Sequence, residues 1–460
     1  MPQRRQRRPV LPLESDDSSS DSGADTDPTL RQTRKRSQIR FEPANPNRGI
    51  FSEASDLVSR LASRAGAIVG ICREPMGSTE SDDKNDAFRH RQALLPKTRP
   101  PDAAGFGLLT IPLWFWIPSS AKILEEAERQ CFRYVKAHVK RELVRTDTGL
   151  VISTATIRGG DDVRSDINHP PVLLLHGFAG GAGIWCKNVD AIAANRVVYA
   201  IDMVGFGRSS RPVFGEDPQS IEDVFVASVE AWRRTMSIAS FILVGHSLGG
   251  YVSAAYALKH PSRVEHLVLA DSWGMPERPD NHIEQRGKLP GWIQALRPIV
   301  NYFNPLAALR AVGPLGAMML RTVRPDLQSK YKDMFDDTTM TDYIYHLNAQ
   351  PAPSGEAAMK SLSIPFGWAK LPMLPRLIQH LDMDVPMTLL YGERSWIDSR
   401  IGYKLQDARP HSYVDVRVVS RAGHHVYSDQ SRAFNEIMVE VCTRVTDHLT
   451  SSAEDEDDGD

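Results

Sequence analysis

At residues 241–250 the chain reads FILVGHSLGG, a short apolar run that leads through Gly245, Ser247 and Gly249 into the small-residue segment LGGYVSAAYALK. Few local patterns restrict a fold this tightly. A buried strand has to turn sharply into a helix, and glycines two positions either side of the serine let neighbouring backbones pass at close range. Such a turn exposes the Ser247 hydroxyl above the sheet and aims the next N–H, that of Leu248, at an oxyanion forming there. A nucleophilic serine is the reading, against the blander one of a structural turn.

The rest of the chain from residue 142 fits a strand of this kind. LVRTDTGLVISTATI reads as a hairpin, and 171–177, 196–202, 241–247, 264–271, 385–392 and 414–420 are short apolar, β-branched runs, each ending in Gly, Asp, Ser or His. Helical segments at 221–236, 248–260 and 433–449 lie between them. This alternation predicts an α/β chain with a mostly parallel central sheet and helices on both faces. Reactive groups then belong at the C-terminal ends of the strands. Between Asp271 and Val385 the rhythm breaks into Met-, Pro- and Leu-rich sequence with helical pieces and no clear strand. That interval reads as an inserted helical cap. Met318, Met319, Leu320, Phe366, Trp368 and Met373 are mostly expected in its own core, with a minority lining a lipid-sized pocket.

Two further segments complete a reactive set. LLLHGFAGG (173–181) ends a strand in a glycine-rich loop whose N–H groups can face the nucleophile; Phe178 is the expected oxyanion donor beside Leu248, with Ala179 its neighbour. His176 reads as a brace for that loop. After the last strand, VDVRVVSRAGHHVYSDQ offers His424 as the general base, with His425 in support. The acid that orients the base is expected after the preceding strand, in LLYGERSWIDSR, where Glu393 and Asp398 compete and Asp398 is preferred for its reach. A serine, acid and histidine working in that chain order need neither metal nor organic cofactor.

The outer parts carry a different message. The net charge of −2 hides a basic start (MPQRRQRR, RQTRKRSQIR), an acidic stretch at 14–27 and an acidic end. Charge blocks with so few apolar residues read as solvated tails. Four cysteines (Cys72, Cys131, Cys186, Cys442) make no disulfide scaffold and read as reduced thiols of a cytosolic protein. No secretory leader and no apolar run long enough to span a bilayer is visible. Residues 53–72 have helical periodicity, and GFGLLTIPLWFWIP (105–118) places Trp114 and Trp116 in an apolar, proline-punctuated stretch suited to a membrane boundary or to packing on the domain. A helix with a serine N-cap is expected at 119–140. The resulting division is 1–50 charged tail, 51–140 N-terminal helices and Trp-bearing segment, 141–274 first part of the core, 275–383 cap, 384–450 second part of the core, and 451–460 acidic tail.

HGFAGGAGIW, DMVGFGRSSRP, GHSLGGYVSAAYALKHP, LYGERSWID, RPHSYVDV and AGHHVYSDQ together resemble the lipid-acting α/β-hydrolase-domain proteins four and five, over about 105–450. The resemblance implies an α/β-hydrolase fold, settles the acid on Asp398 and places the base on His424. One branch of that family has Asn for the nucleophile and serves as co-activator of a triacylglycerol lipase; the other keeps Ser and hydrolyses N-acyl phospholipids and lysophospholipids. Ser247 aligns the chain with the hydrolytic branch. The family's His-x-x-x-x-Asp motif, tied to acyl transfer onto lysophosphatidic acid, falls on His424 and Asp429; an N-cap role for Asp429 is the simpler expectation. Arg394 and Gly423 stand where the co-activating branch meets its partner, and otherwise read as a surface charge and a turn glycine. The expectation is therefore a cytoplasmic, membrane- or droplet-associated serine hydrolase of glycerophospholipids or lysophospholipids, with no nucleic-acid partner. The alternatives are lipase co-activation and acyl transfer.

Overall fold

A computed structural model describes residues 119–159, 169–278, 306–364 and 367–457. The expected 53–72 helix, Trp114, Trp116, Phe366 and the N-terminal tail lie outside those residues.

The first helix, α1 (Ala121–Cys131), begins where Ser120 accepts the N–H of Ile123, as the serine signal predicts. It stops short of the expected residue 140. The Asp190 carboxylate, from a distant part of the chain, takes the N–H groups of Lys136 and Ala137 and turns the backbone into β1 (His138–Arg145). β1 pairs antiparallel with β2 (Val151–Arg158), giving the expected hairpin. Then follow β3 (Val172–Leu175), β4 (Val198–Ile201), α2 (Pro218–Thr235), β5 (Phe241–His246), α3 (Leu248–Lys259) and β6 (Val264–Ala270). The cap contributes α4 (Ala307–Ala311), α5 (Gly316–Val323), α6 (Pro325–Lys330), α7 (Thr339–Asn348) and α8 (Ser354–Leu362). It also holds a two-residue antiparallel ladder, β7 (Ser363–Ile364) with β8 (Trp368–Ala369), too short to be read from sequence. The core resumes with α9 (Met373–His380), β9 (Met387–Gly392), α10 (Arg400–Ala408), β10 (Val414–Val419), α11 (Val426–Asp429) and α12 (Ser431–Asp457).

Eight strands form one sheet in the order β1-β2-β4-β3-β5-β6-β9-β10, antiparallel across β1, β2 and β4 and parallel from β4 onward. Side chains alternate across a strand, and here both faces are dry. In β3 and β5, Leu173, Leu175, Phe241 and Leu243 pack on one side with Ile221, Phe225 and Trp232 of α2 and Tyr251 of α3. Val172, Leu174, Ile242 and Val244 pack on the other with Leu124 of α1 and Phe434 and Met438 of α12. Each fully buried Leu or Phe contributes about 2 kcal/mol, which fixes the register of these strands.

The apolar residues expected in the cap take several roles. Met373 is buried in the main core, Met319 and Leu320 pack on Leu309 and Tyr345, and Met318 is exposed. Cys131, Cys186 and Cys442 are buried free thiols.

Candidate active site

β5 delivers Ser247 to the C-terminal edge of the sheet. Its backbone is left-handed (φ 53°, ψ −115°), a conformation costly for a residue with a side chain, and the surroundings enforce it. The Ser247 N–H bonds the Ala270 carbonyl, while its own carbonyl takes the N–H groups of Tyr251 and Trp273. The flanking glycines are required by contact: a Cβ on Gly249 would lie 2.4 Å from the Leu175 carbonyl oxygen and 2.5 Å from that of His176. Gly249→Ala is accordingly expected to destabilise the protein by about 3 kcal/mol or to prevent folding, read by denaturant unfolding. A loss under 1 kcal/mol would show that α3 shifts freely.

The base stands ready on the far loop. His424 Nε2 lies 3.0 Å from Ser247 Oγ, and His424 Nδ1 lies 2.6 Å from Oδ2 of Asp271. Asp271 is not the acid expected. It follows β6 directly, in a left-handed conformation (φ 48°), and is fully buried. The same Oδ2 takes the Ser395 hydroxyl, and Oδ1 takes the Gly392 N–H at 3.2 Å. Burial pushes the Asp271 pKa up, while these hydrogen bonds and the imidazole pull against that rise. Asp398 is turned elsewhere: its two oxygens are bound by the Arg400 guanidinium at 2.7–2.9 Å, on the exposed start of α10. That guanidinium and the Arg400 N–H outweigh partial burial and hold the Asp398 carboxyl below its usual range. The loop after β9 thus supplies Ser395 and Trp396, whose ring centre lies 5.1 Å from that of His424, rather than the acid. Glu393 accepts the Arg421 N–H at 2.7 Å.

The other histidines are framework. Met203 N–H donates to His176 Nε2, so the proton sits on Nδ1 and is given to the Gly177 carbonyl at 2.8 Å. His246 Nε2–H donates to the His424 carbonyl at 2.9 Å and fixes the base's backbone. His425 is half-buried, with Nδ1 facing the Lys330 ammonium at 3.1 Å. Burial lowers the pKa of all three, His176 to about 4. His266, bonded to Thr388 across β6 and β9, falls to about 3.

A histidine with a depressed folded pKa stays neutral while its unfolded counterpart protonates. Stability is then complete above pH 6.5 and is lost as pH falls. Each of His176 and His266 is expected to remove about 2 kcal/mol between pH 7 and pH 5. Urea unfolding of the wild type against His266→Gln checks this: the variant should lose about 2 kcal/mol less over that interval. An equal loss in both would contradict the assignment.

The side of Ser247 where the oxyanion donors are expected is bounded by Leu248 at the start of α3 and by the loop after β3. Gly177 of that loop approaches so closely that a Cβ there would lie 3.0 Å from Ser247 Cβ, and Phe178 follows it in sequence. Ala179 takes a left-handed turn (φ 60°), and its carbonyl accepts Asn348 Nδ2 at 2.9 Å from cap helix α7. Asp429 does not cap a helix start. Its Oδ2 takes the Gly423 N–H at 2.8 Å and its Oδ1 pairs with Lys330 at 3.0 Å, bracing the residue before the base. Asp271, Ser395 and Asp429's partner were not foreseen; the only sequence signal for Asp271 was that VEHLVLAD ends a strand in a carboxylate. Among the described residues no cluster suited to a metal ion occurs, and no helix is long and apolar enough to cross a membrane.

Two relatives bear on this arrangement. The chain is 46% identical over 339 residues to human 1-acylglycerol-3-phosphate O-acyltransferase ABHD5, covering 74% of this chain and 95% of that protein. It is 48% identical over 275 residues to human (lyso)-N-acylphosphatidylethanolamine lipase, covering 60% of this chain and 80% of that one. With residues 170–431 matching the alpha/beta hydrolase fold family, and with a serine elbow after β5, a buried carboxylate after β6 and a histidine after β10 joined by hydrogen bonds, the chain belongs to the alpha/beta hydrolases.

Proposed function

We propose that the chain is a serine hydrolase cleaving acyl esters of glycerophospholipids or lysophospholipids through an acyl-enzyme on Ser247. The observation that carries the reading is the unbroken line of hydrogen bonds from Ser247 Oγ through His424 to Asp271. Ser247 Oγ attacks the acyl carbonyl as its proton passes to His424 Nε2. The oxyanion is met by the Leu248 and Phe178 N–H groups. Asp271 holds the imidazole on the tautomer with its proton on Nδ1 and stabilises the imidazolium. The proton taken from Ser247 then passes from His424 Nε2 to the leaving alkoxide, and water, deprotonated by His424 Nε2, releases the fatty acid and restores the Ser247 hydroxyl. The name of the 48%-identical lipase supports a lipid ester as substrate. The surface expected to present it, a membrane or droplet, belongs to the same proposal.

The 46%-identical acyltransferase gives a second reading its footing. Asp429 is committed to Gly423 and Lys330, so a separate His-x-x-x-x-Asp site has no free carboxylate, and transfer would run from acyl-Ser247 to a lysolipid hydroxyl in place of water. Co-activation of another lipase needs no intact Ser247–His424 contact. The test is to incubate the purified protein with N-acylphosphatidylethanolamine and lysophospholipids and measure free fatty acid against re-acylated lysolipid. Fatty acid release identifies a hydrolase, and re-acylation identifies a transferase. Turnover of neither, with any soluble ester also untouched, would overturn the catalytic reading.

A further inference from the structure

Behind the base loop lies a cleft of about 510 Å³ unlike the rest of the site in charge. Its floor is Lys187 and Lys330, and its rim is Lys332 of the cap with Arg394 and Arg421 from the loops after β9 and β10. The two floor lysines are already matched: Lys187 Nζ bonds Asp333 at 2.8 Å, and Lys330 Nζ bonds Asp429 at 3.0 Å. Lys332, Arg394 and Arg421 are exposed and make no ion pair among the described residues. Among the residues lining the cleft, five cations face two carboxylates, a surplus of three positive charges; Asp326, 3.9 Å from Lys330 Nζ, and Glu393 are neighbours outside that lining.

The backbones that carry the two arginines are also tied. Arg394 N–H donates to the Ala422 carbonyl at 2.8 Å, and Arg421 N–H donates to Glu393 Oε2 at 2.7 Å. Gly392 presses on the backbone of Ala422 and Gly423, so the loops cannot part independently. Convergent like charges on a tied backbone repel one another, and an anion relieves that repulsion. Planar guanidinium forks match the oxygens of a phosphate bidentately.

We propose that this cleft binds a phosphate ester of the glycerophosphate type. That its natural source is a lipid headgroup rests on the phospholipid-hydrolase reading; the phosphate itself follows from the charges.

Binding can be measured on full-length Ser247→Ala protein, so that its outcome is independent of turnover. In one arm glycerol 3-phosphate, and separately inorganic phosphate, is titrated by calorimetry. In the other, the protein is floated with phosphatidylcholine vesicles with or without phosphatidic acid. The expected result is binding of glycerol 3-phosphate and preference for phosphatidic acid vesicles, both weakened about thirtyfold by Arg394→Ala with Arg421→Ala, as for two basic groups lost at an anionic surface. Lys332→Ala should weaken both in the same direction. Arg432→Ala, an exposed arginine on α12 paired with Glu436, should change neither. Inorganic phosphate binding as tightly as the ester would identify a free-phosphate site. Vesicle binding alone, with the same dependence on Arg394 and Arg421, would identify a lipid site. Unaltered binding in the double variant, or an equal loss with Arg432→Ala, overturns the proposal.

Discussion

Ser247→Ala is expected to lower phospholipid hydrolysis by about 10⁶-fold in kcat, the scale seen when a triad nucleophile is deleted, and to abolish labelling by a fluorophosphonate. The Oγ is the atom 3.0 Å from His424 Nε2, and nothing else at the elbow replaces it. Ser247→Ala should leave the melting temperature close to wild type, because the backbone partners of residue 247 are Ala270, Tyr251 and Trp273 rather than its hydroxyl. A variant that kept full turnover would remove Ser247 from the chemistry and return the elbow to a structural turn.

Asp271→Asn is expected to cost about 10⁴-fold in kcat, because an amide opposite Nδ1 favours the tautomer with its proton facing Ser247. Asp398→Asn is expected to stay within about threefold of wild type, since it removes only a half-exposed ion pair with Arg400, and pairs of that kind contribute little. The two substitutions measured side by side with one soluble ester decide the acid. A collapse with Asp398→Asn and near-normal turnover with Asp271→Asn would reverse the assignment. Ser395→Ala should fall between them, because it removes one donor to the Asp271 oxygen that also holds His424.

The nucleophile, its helix, the loop after β3 and the base were legible because each depends on a few consecutive residues. Gly245-x-Ser247-x-Gly249 dictates its own turn, and a histidine after the last strand of a parallel sheet has few places to go. The acid was not legible. Parallel strands β6 and β9 both end beside the base, and both VEHLVLAD and LLYGERSWID offer carboxylates. The choice rests on how the loop after β9 turns. That turn is set by Arg400 binding Asp398 outward and by Ser395 folding back to Asp271, contacts which leave no periodicity. The same holds at the end of α1. Helical spacing continues past Cys131, but the helix stops there, and Asp190, more than fifty residues away in sequence, then takes the Lys136 and Ala137 N–H groups just ahead of β1. Asp429 looked like a cap because it precedes a helical run; its carboxylate turned instead to Gly423, six residues back.

Asn348 and Tyr343, both on α7, grip the segment beside the nucleophile: one holds the Ala179 carbonyl, the other the Gly183 N–H at 3.1 Å. On the proposed mechanism the oxyanion donors sit beside that segment, so a hinge that lifted α7 to admit a bulky lipid is expected to slacken them. Entry and reactivity are then coupled along that helix, and a doorway for long acyl chains is expected elsewhere in the cap, with α7 seated.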